Sequence, residues 1–189
     1  MIILASASQR RIELLKDSGI EFEVIPSEIE EVIDVSLSPV DNAMKIALTK
    51  ARDIYFKNKN ATVIAADTMV VYNNEIFGKP GSEEDAFEIL KTLSNKKHKV
   101  ITGVAIIHND EEDVFFSEST VKFKDLTDEE IKAYIDTKEP FGKAGGYAIQ
   151  GLGKDIVDTY EGDFFTIVGL PLKEVLKKLN DIKNKKDQN

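Results

Sequence analysis

Thr62-Val63-Ile64-Ala65-Ala66-Asp67-Thr68-Met69-Val70-Val71-Tyr72-Asn73-Asn74-Glu75-Ile76-Phe77 is the stretch whose reading decides the fold. Thr62 to Ala66 is a near-continuous apolar run, the pattern of a strand covered on both faces, which requires helices on either side of a sheet. Asp67 is expected to end that strand. Met69 to Tyr72 then forms a second strand that turns at Asn73-Asn74 and runs back toward Phe77.

Upstream, Ile2 to Ala5 reads as a short buried strand, followed by a polar loop and a helix in which Ile12, Leu14 and Leu15 share a face and Gly19 closes the last turn. Phe22 to Ile25 alternates as a strand, Pro26 to Asp34 is an acidic loop, and Ser38-Pro39 opens a long helix that stops near Asn58. Downstream, Ser82 caps a helix to about Leu93, with Asp85 a weaker closing partner than Glu in a capping box. His98 to His108 and Val114 to Lys124 read as two long strands joined through Asn109 to Asp113. Thr127 with Glu130 makes a better capping box for a helix that ends before Pro140. The Gly-rich stretch from Gly142 to Gly153 interrupts regular structure, Phe164 to Val168 is strand-like, and Pro171 opens the last helix. Antiparallel hairpins mixed with strand–helix units imply the α/β class, a mixed sheet flanked by helices rather than a purely parallel one.

The chain has 189 residues, 42% apolar and 31% charged, which suits one folded domain over residues 1–189 with a tail from about Asp181 expected to fray. A net charge of −9 repels polyanions and argues against a general nucleic-acid binder, so a phosphate ligand would need a local basic pocket. There is no cysteine, which excludes disulfides, thiolate catalysis and Cys-based zinc sites. The opening Met1-Ile2-Ile3-Leu4-Ala5-Ser6 lacks the basic and apolar regions of a secretory leader, and no apolar run approaches the roughly 18 residues of a membrane span. A cytoplasmic protein without a membrane partner is the expectation.

Three segments could carry chemistry. Ser6-Ala7-Ser8-Gln9-Arg10-Arg11 lies between a strand and a helix, where helix N–H groups, hydroxyls and guanidiniums suit phosphate oxygens. Ser8 could equally be a plain N-cap, but two arginines in a first helical turn oppose the helix dipole at about 0.3–1 kcal/mol each, so a ligand anion explains them better. Asp67-Thr68 is expected at the carboxyl end of its strand, where open α/β sheets place ligands. A carboxylate there could ligate Mg²⁺ or Mn²⁺, or accept a proton from an attacking water; a strand-ending turn is the bland alternative. Ala144-Gly145-Gly146-Tyr147-Ala148-Ile149-Gln150-Gly151 allows close backbone approach to a ligand, and Gln150 can both donate to and accept from a base edge. Glu28, Glu30 and Glu31 crowd one loop and are either solvated or facing a cation. Lys50, Lys79 and Lys143 are cations that could reach phosphates, whereas His98 and His108 read as surface or structural groups.

Taken together, Ser6-x-Ser8-x-Arg10-Arg11, Ala65-Ala66-Asp67-Thr68, Gly78-Lys79-Pro80, Thr102-Gly103-Val104, Lys143 to Gly151 and Val168-Gly169-Leu170-Pro171 resemble the Maf family of septum formation proteins and nucleoside triphosphate pyrophosphatases. The resemblance implies an elongated mixed sheet with helices around a central cleft, related to inosine triphosphate pyrophosphatases, and a homodimer. It implies a divalent metal cation (Mg²⁺, Mn²⁺ or Co²⁺) and Asp67 as general base, with Arg11, Thr68 and Gln150 at positions of base selection. Thr68 and Gln150 are similar to the subgroup that acts on dTTP and UTP. One position departs from many relatives: Gly142 stands where they carry an acid before the lysine.

The expected mechanism has Ser6, Ser8, Arg10, Arg11, Lys50 and Lys79 holding the triphosphate. Asp67 and Glu31 bind the metal and orient water, and pyrophosphate leaves from the α-phosphorus. Modified pyrimidine nucleotides are possible substrates of such a house-cleaning enzyme. Two alternatives stay open: a nucleotide-binding regulator of cell division and septum formation with little turnover, and an ITP-type purine pyrophosphatase.

Overall fold

A run of eleven residues, Thr62–Tyr72, forms a single uninterrupted strand in the computed structural model, which describes residues 1–186. In chain order the elements are β1 (Ile2–Leu4), α1 (Gln9–Asp17), β2 (Glu23–Val24), α2 (Pro39–Lys57), β3 (Thr62–Tyr72), β4 (Glu75–Phe77), α3 (Glu83–Leu93), β5 (Lys97–His108), β6 (Glu111–Phe123), α4 (Asp128–Asp136), β7 (Val157–Glu161), α5 (Phe164–Val168) and α6 (Leu172–Lys186). The seven strands make one mixed sheet in the order β2-β1-β3-β5-β6-β7, with β4 beside β3. β1 runs parallel to both β2 and β3, while β4 pairs antiparallel with β3 and β7 with β6. The α/β class with a mixed sheet is therefore the one read from the sequence.

The chain forms two compact units. The first comprises Met1–Asp67, Thr102–Ser117 and the chain from Gly169 onward. Within it, strand alternation sorts the core into two layers. Ile3, Ala5, Val63 and Ala65 pack with Ala47, Ala51, Ile54 and Tyr55 of α2. Leu4, Ile64 and Ala66 point to the other face and pack with Leu15 of α1 and with Leu170, Val175 and Leu179. Val63 to Ala66 of β3 are apolar without a break because α2 covers one face of this part of the strand and α1 with the last helix covers the other. The second unit comprises Thr68–Ile101 and Glu118–Val168. There His98, Phe123 and Tyr147 stack edge to face, with ring centroids 4.8–5.5 Å apart, and α3 packs against α4.

Helix starts follow local chemistry. Ser38, Ser82 and Thr127 each accept a bond from the backbone N–H three residues on, and only Thr127 with Glu130 completes the reciprocal capping box. The shorter Asp85 turns its carboxylate to the Gly81 N–H instead, at 2.8 Å.

Several expectations are corrected. Asp67 does not end a strand: its carboxylate finds a partner sideways, so the ladder continues through it. The turn between β5 and β6 takes only Asn109 and Asp110, both with positive φ, and Glu111 to Asp113 already belong to β6. Phe164–Val168 is helical rather than a strand, because the Asp163 carboxylate accepts the Thr166 N–H and hydroxyl, both at 2.8 Å, and nucleates a turn. β7 escaped the sequence reading; four of its five residues are exposed and show no alternation. Residues 181–186, read as part of a fraying tail, continue α6, and residues 187–189 lie outside the described residues. Among the described residues no helix is long and apolar enough to cross a membrane.

Candidate active site

Period two puts Val63, Ala65 and Asp67 on the same face of β3, the face covered by α2. On α2 the inward stripe of Ala43, Ala47, Ala51 and Ile54 also includes Lys50, which is only 8% exposed. A lysine on that stripe needs a partner, and Asp67, 7% exposed, supplies it. The Lys50 Nζ donates to Asp67 Oδ1 at 2.9 Å and pairs with Glu31 Oε1 at 2.6 Å. Two carboxylates from distant parts of the sequence thus converge on one positive charge.

Glu31 reaches this point because its loop is tied to α2. Asn42, fully buried, donates from Nδ2 to the carbonyls of Asp34, Leu37 and Ser38, and its Oδ1 accepts the Asp34 N–H at 2.8 Å. Ser27 donates to Asp53 at 2.8 Å, and Lys45 pairs with Asp34 at 2.9 Å. Asn42 was not among the expected site residues. Its signal, an amide four residues past an N-cap, is too common to single out.

Arg11 lies four residues before the buried Leu15 on α1, so the same stripe carries it inward to 9% exposure. Its Nε donates to the Gly169 carbonyl at 2.7 Å and its Nη1 to Ser6 Oγ at 3.4 Å. Burial lowers the guanidinium to about 10, with Asp67 and Glu31 opposing that shift and Arg10 reinforcing it. It stays charged at neutral pH, electrostatically coupled to both acids. Ser8 occupies the N-cap position of α1 without a side-chain cap bond, and the first turn of α1 holds no acid, unlike those of α2, α3 and α4. The plain-cap reading of Ser8 is therefore not what the geometry gives. Half-buried Arg10 lies in the first turn of α1, two residues after Ser8.

Of the expected residues, Ser6, Arg11, Glu31, Lys50 and Asp67 come together in the first unit, and Ser8 and Arg10 sit beside them at the start of α1. Lys50, expected on the triphosphate, is held between acids instead. Glu28 and Glu30 are exposed. Thr68, Lys79 and Gln150 belong to the second unit. There Thr68 is half-buried within β3, and exposed Lys79 borders a cavity of about 310 Å³ lined by Phe77, Glu88 and Ile89. Exposed Gln150 follows the buried run Gly145 to Ile149. Gly145 has φ 67° and donates to the Gly78 carbonyl at 3.0 Å, and any β-carbon there would overlap Val70. Lys143 is bound by backbone, its Nζ donating to the Glu139 carbonyl at 2.7 Å. His98 is structural, its Nε2 2.8 Å from the Tyr147 hydroxyl, and His108 Nδ1 lies 3.0 Å from the Thr62 hydroxyl.

No group of three His, Cys, Asp or Glu side chains among the described residues could hold a metal. Asp67 and Glu31 nevertheless fit a hard divalent cation. They are oxygen donors already converging on a cation, and Mg²⁺ is commonly held by one or two carboxylates plus waters and substrate phosphates.

The chain is 52% identical over 177 residues to a dTTP/UTP pyrophosphatase of Caldicellulosiruptor bescii, covering 90% of this chain and 89% of the relative. It is 48% identical over 178 residues to a dTTP/UTP pyrophosphatase of Bacillus cereus, covering 94% and 93%. Among solved structures, a nucleoside-triphosphatase (dITP/XTP pyrophosphatase) of Mycobacterium abscessus aligns over 97% of both chains at 17% identity, with a TM-score of 0.45. The family model for Maf-like proteins matches residues 1–182, and the chain belongs to the Maf family.

Proposed function

We propose that this chain is a metal-dependent nucleoside triphosphate pyrophosphatase that hydrolyses dTTP or UTP to the monophosphate and pyrophosphate. The observation that carries the reading is the convergence of Asp67 and Glu31 on one cationic point beside buried Arg11. A pure phosphate binder gains nothing from acids at its ligand unless a metal lies between them. The names of the two relatives support the choice of pyrimidine triphosphates.

In this reading Asp67 and Glu31 hold a divalent cation, Mg²⁺, Mn²⁺ or Co²⁺, which when bound supplies charge neutralisation at the phosphates. The N-terminus of α1, with Ser6, Ser8 and Arg10, binds the triphosphate through N–H groups, hydroxyls and a guanidinium. Lys79 adds a further phosphate contact, and Lys50 balances the charge of the two acids and keeps them oriented. Asp67 accepts the proton of the water that attacks the α-phosphorus, the bond to the bridging oxygen breaks, and pyrophosphate departs. Arg11, Thr68 and Gln150 select the base by hydrogen bonds, where an unmatched buried partner costs about 10⁴–10⁵-fold in discrimination. A cytoplasmic homodimer completes the proposal, with the association read by sedimentation.

The test is a panel of pyrimidine and purine triphosphates with Mn²⁺ or Mg²⁺, assayed for pyrophosphate. dTTP and UTP should be the preferred substrates, and Asp67→Asn should lose at least about 10²-fold in kcat with its fold intact. Preference for ITP, tight binding without turnover, or equal turnover by Asp67→Asn would each reject the reading.

A further inference from the structure

The Gly-rich loop of the second unit is fastened by groups at the end of α4. The Tyr134 hydroxyl accepts the Ala148 N–H at 3.2 Å and donates to Glu139 Oε2 at 2.7 Å. Glu139 in turn accepts the backbone N–H of Leu152 at 2.9 Å and of Gly153 at 2.8 Å. The loop lies so close to this carboxylate that a β-carbon at Gly151 would overlap it. His98 of β5 adds a third fixing point through the Tyr147 hydroxyl. Burial and the neighbouring carboxylate push the Tyr134 phenol far up, so it remains a donor to Glu139.

These bonds frame one turn. The Gly151 N–H donates to the Ala148 carbonyl at 3.0 Å, which places Ile149 and Gln150 at its two central positions. Tyr134 holds the residue that opens the turn, and Glu139 holds the two residues that follow it. Gly145 to Ile149 are buried, and Gln150 is exposed from this fixed backbone. An amide that reads a base edge discriminates only if it cannot relax to suit another edge, and a displacement of about 1 Å can cost about 10²-fold. Charge-assisted bonds to a carboxylate are suited to hold it.

We propose that Tyr134 and Glu139 are positioning residues that fix the turn bearing Gln150 and thereby set which nucleobase the loop accepts. This rests on the reading of the chain as a pyrimidine triphosphate pyrophosphatase with Gln150 at the base. Neither residue touches the substrate; both act through the loop backbone. Their loss should change KM and the choice of base more than kcat.

The experiment compares wild type, Tyr134→Phe, Glu139→Gln and Glu139→Ala for kcat and KM on dTTP, UTP and ITP, with amide hydrogen exchange at Ala148, Leu152 and Gly153. Tyr134→Phe and Glu139→Ala should lower the dTTP-to-ITP ratio of kcat/KM by about 10-fold or more through KM, with exchange faster at the three amides. Glu139→Gln, which keeps an acceptor, should recover part of the ratio. A ratio within about twofold of wild type in Tyr134→Phe, or an equal fall in kcat on every substrate, overturns the proposal, and Tyr134→Phe decides the matter if Glu139→Ala does not fold. A wild type that releases no pyrophosphate from any triphosphate overturns the functional reading and the claim on base choice together. Wild-type turnover with an unchanged ratio in the variants overturns this inference alone.

Discussion

Replacing Lys50 by Met keeps most of the side chain's length and apolar packing but removes the charge that Asp67 and Glu31 share. The Lys50 and Asp67 side chains are each 10% exposed, so Asp67 would be left buried with no compensation from that side. Removing one partner of a buried ion pair costs about 3–5 kcal/mol. The Glu31 side chain, 37% exposed, keeps contact with water, which places the loss near the lower bound, about 3 kcal/mol. For a chain of this size that is roughly 6–12 °C in melting temperature. The assay is thermal and urea unfolding of wild type, Lys50→Met, and Lys50→Met with Asp67→Asn. The double variant buries no uncompensated charge and should recover at least half of the loss. Saturating Mn²⁺, at about 100 times its Kd, should return up to about 2.7 kcal/mol to the single variant if the two acids hold the metal. A loss under about 1 kcal/mol, or a double variant no more stable than the single one, would refute the reasoning that the acids depend on Lys50.

Two further outcomes follow from the same geometry. Ser8→Ala should leave stability within about 0.3 kcal/mol of wild type because Ser8 makes no cap bond, whereas Ser38→Ala, which removes a real cap, should cost about 1 kcal/mol in urea unfolding. Ser8→Ala should still raise KM for the triphosphate; an unchanged KM would take Ser8 out of the phosphate site. Burial depresses His98 to about 4, so the unfolded chain binds a proton there between about pH 6.5 and 4 that the folded chain does not. Its contribution to stability is fully present above about pH 6.5 and is lost as pH falls through that window, by roughly 3 kcal/mol in all. His98→Gln should flatten the acid side of the stability curve there, and an unaltered slope would contradict the assignment.

How much of this was legible from the sequence varies with the physics involved. Capping signals at Ser38, Ser82 and Thr127 are local, and each helix began where its cap predicted. Asp67 was read wrongly as the end of a strand, which instead runs through it. Whether an acid breaks a strand depends on a partner seventeen residues away, and Lys50 shows itself only once α2 is laid on that face. Phe164–Val168 has strand composition, and a single Asp163 cap overrode it. Glu139 and Asn42 escaped notice for a common reason: they bind backbone groups, and backbone leaves no signature in the spacing of side chains. The family motifs, in contrast, lie in order along the chain, so membership was readable before any geometry.

Hydrolysis of dTTP in ¹⁸O-labelled water, with the products resolved by mass spectrometry, tests the central claim most directly. Attack at the α-phosphorus, with Asp67 taking the proton, predicts one labelled oxygen in dTMP and none in the pyrophosphate. Label in inorganic phosphate or in pyrophosphate, with dTMP unlabelled, would contradict the account.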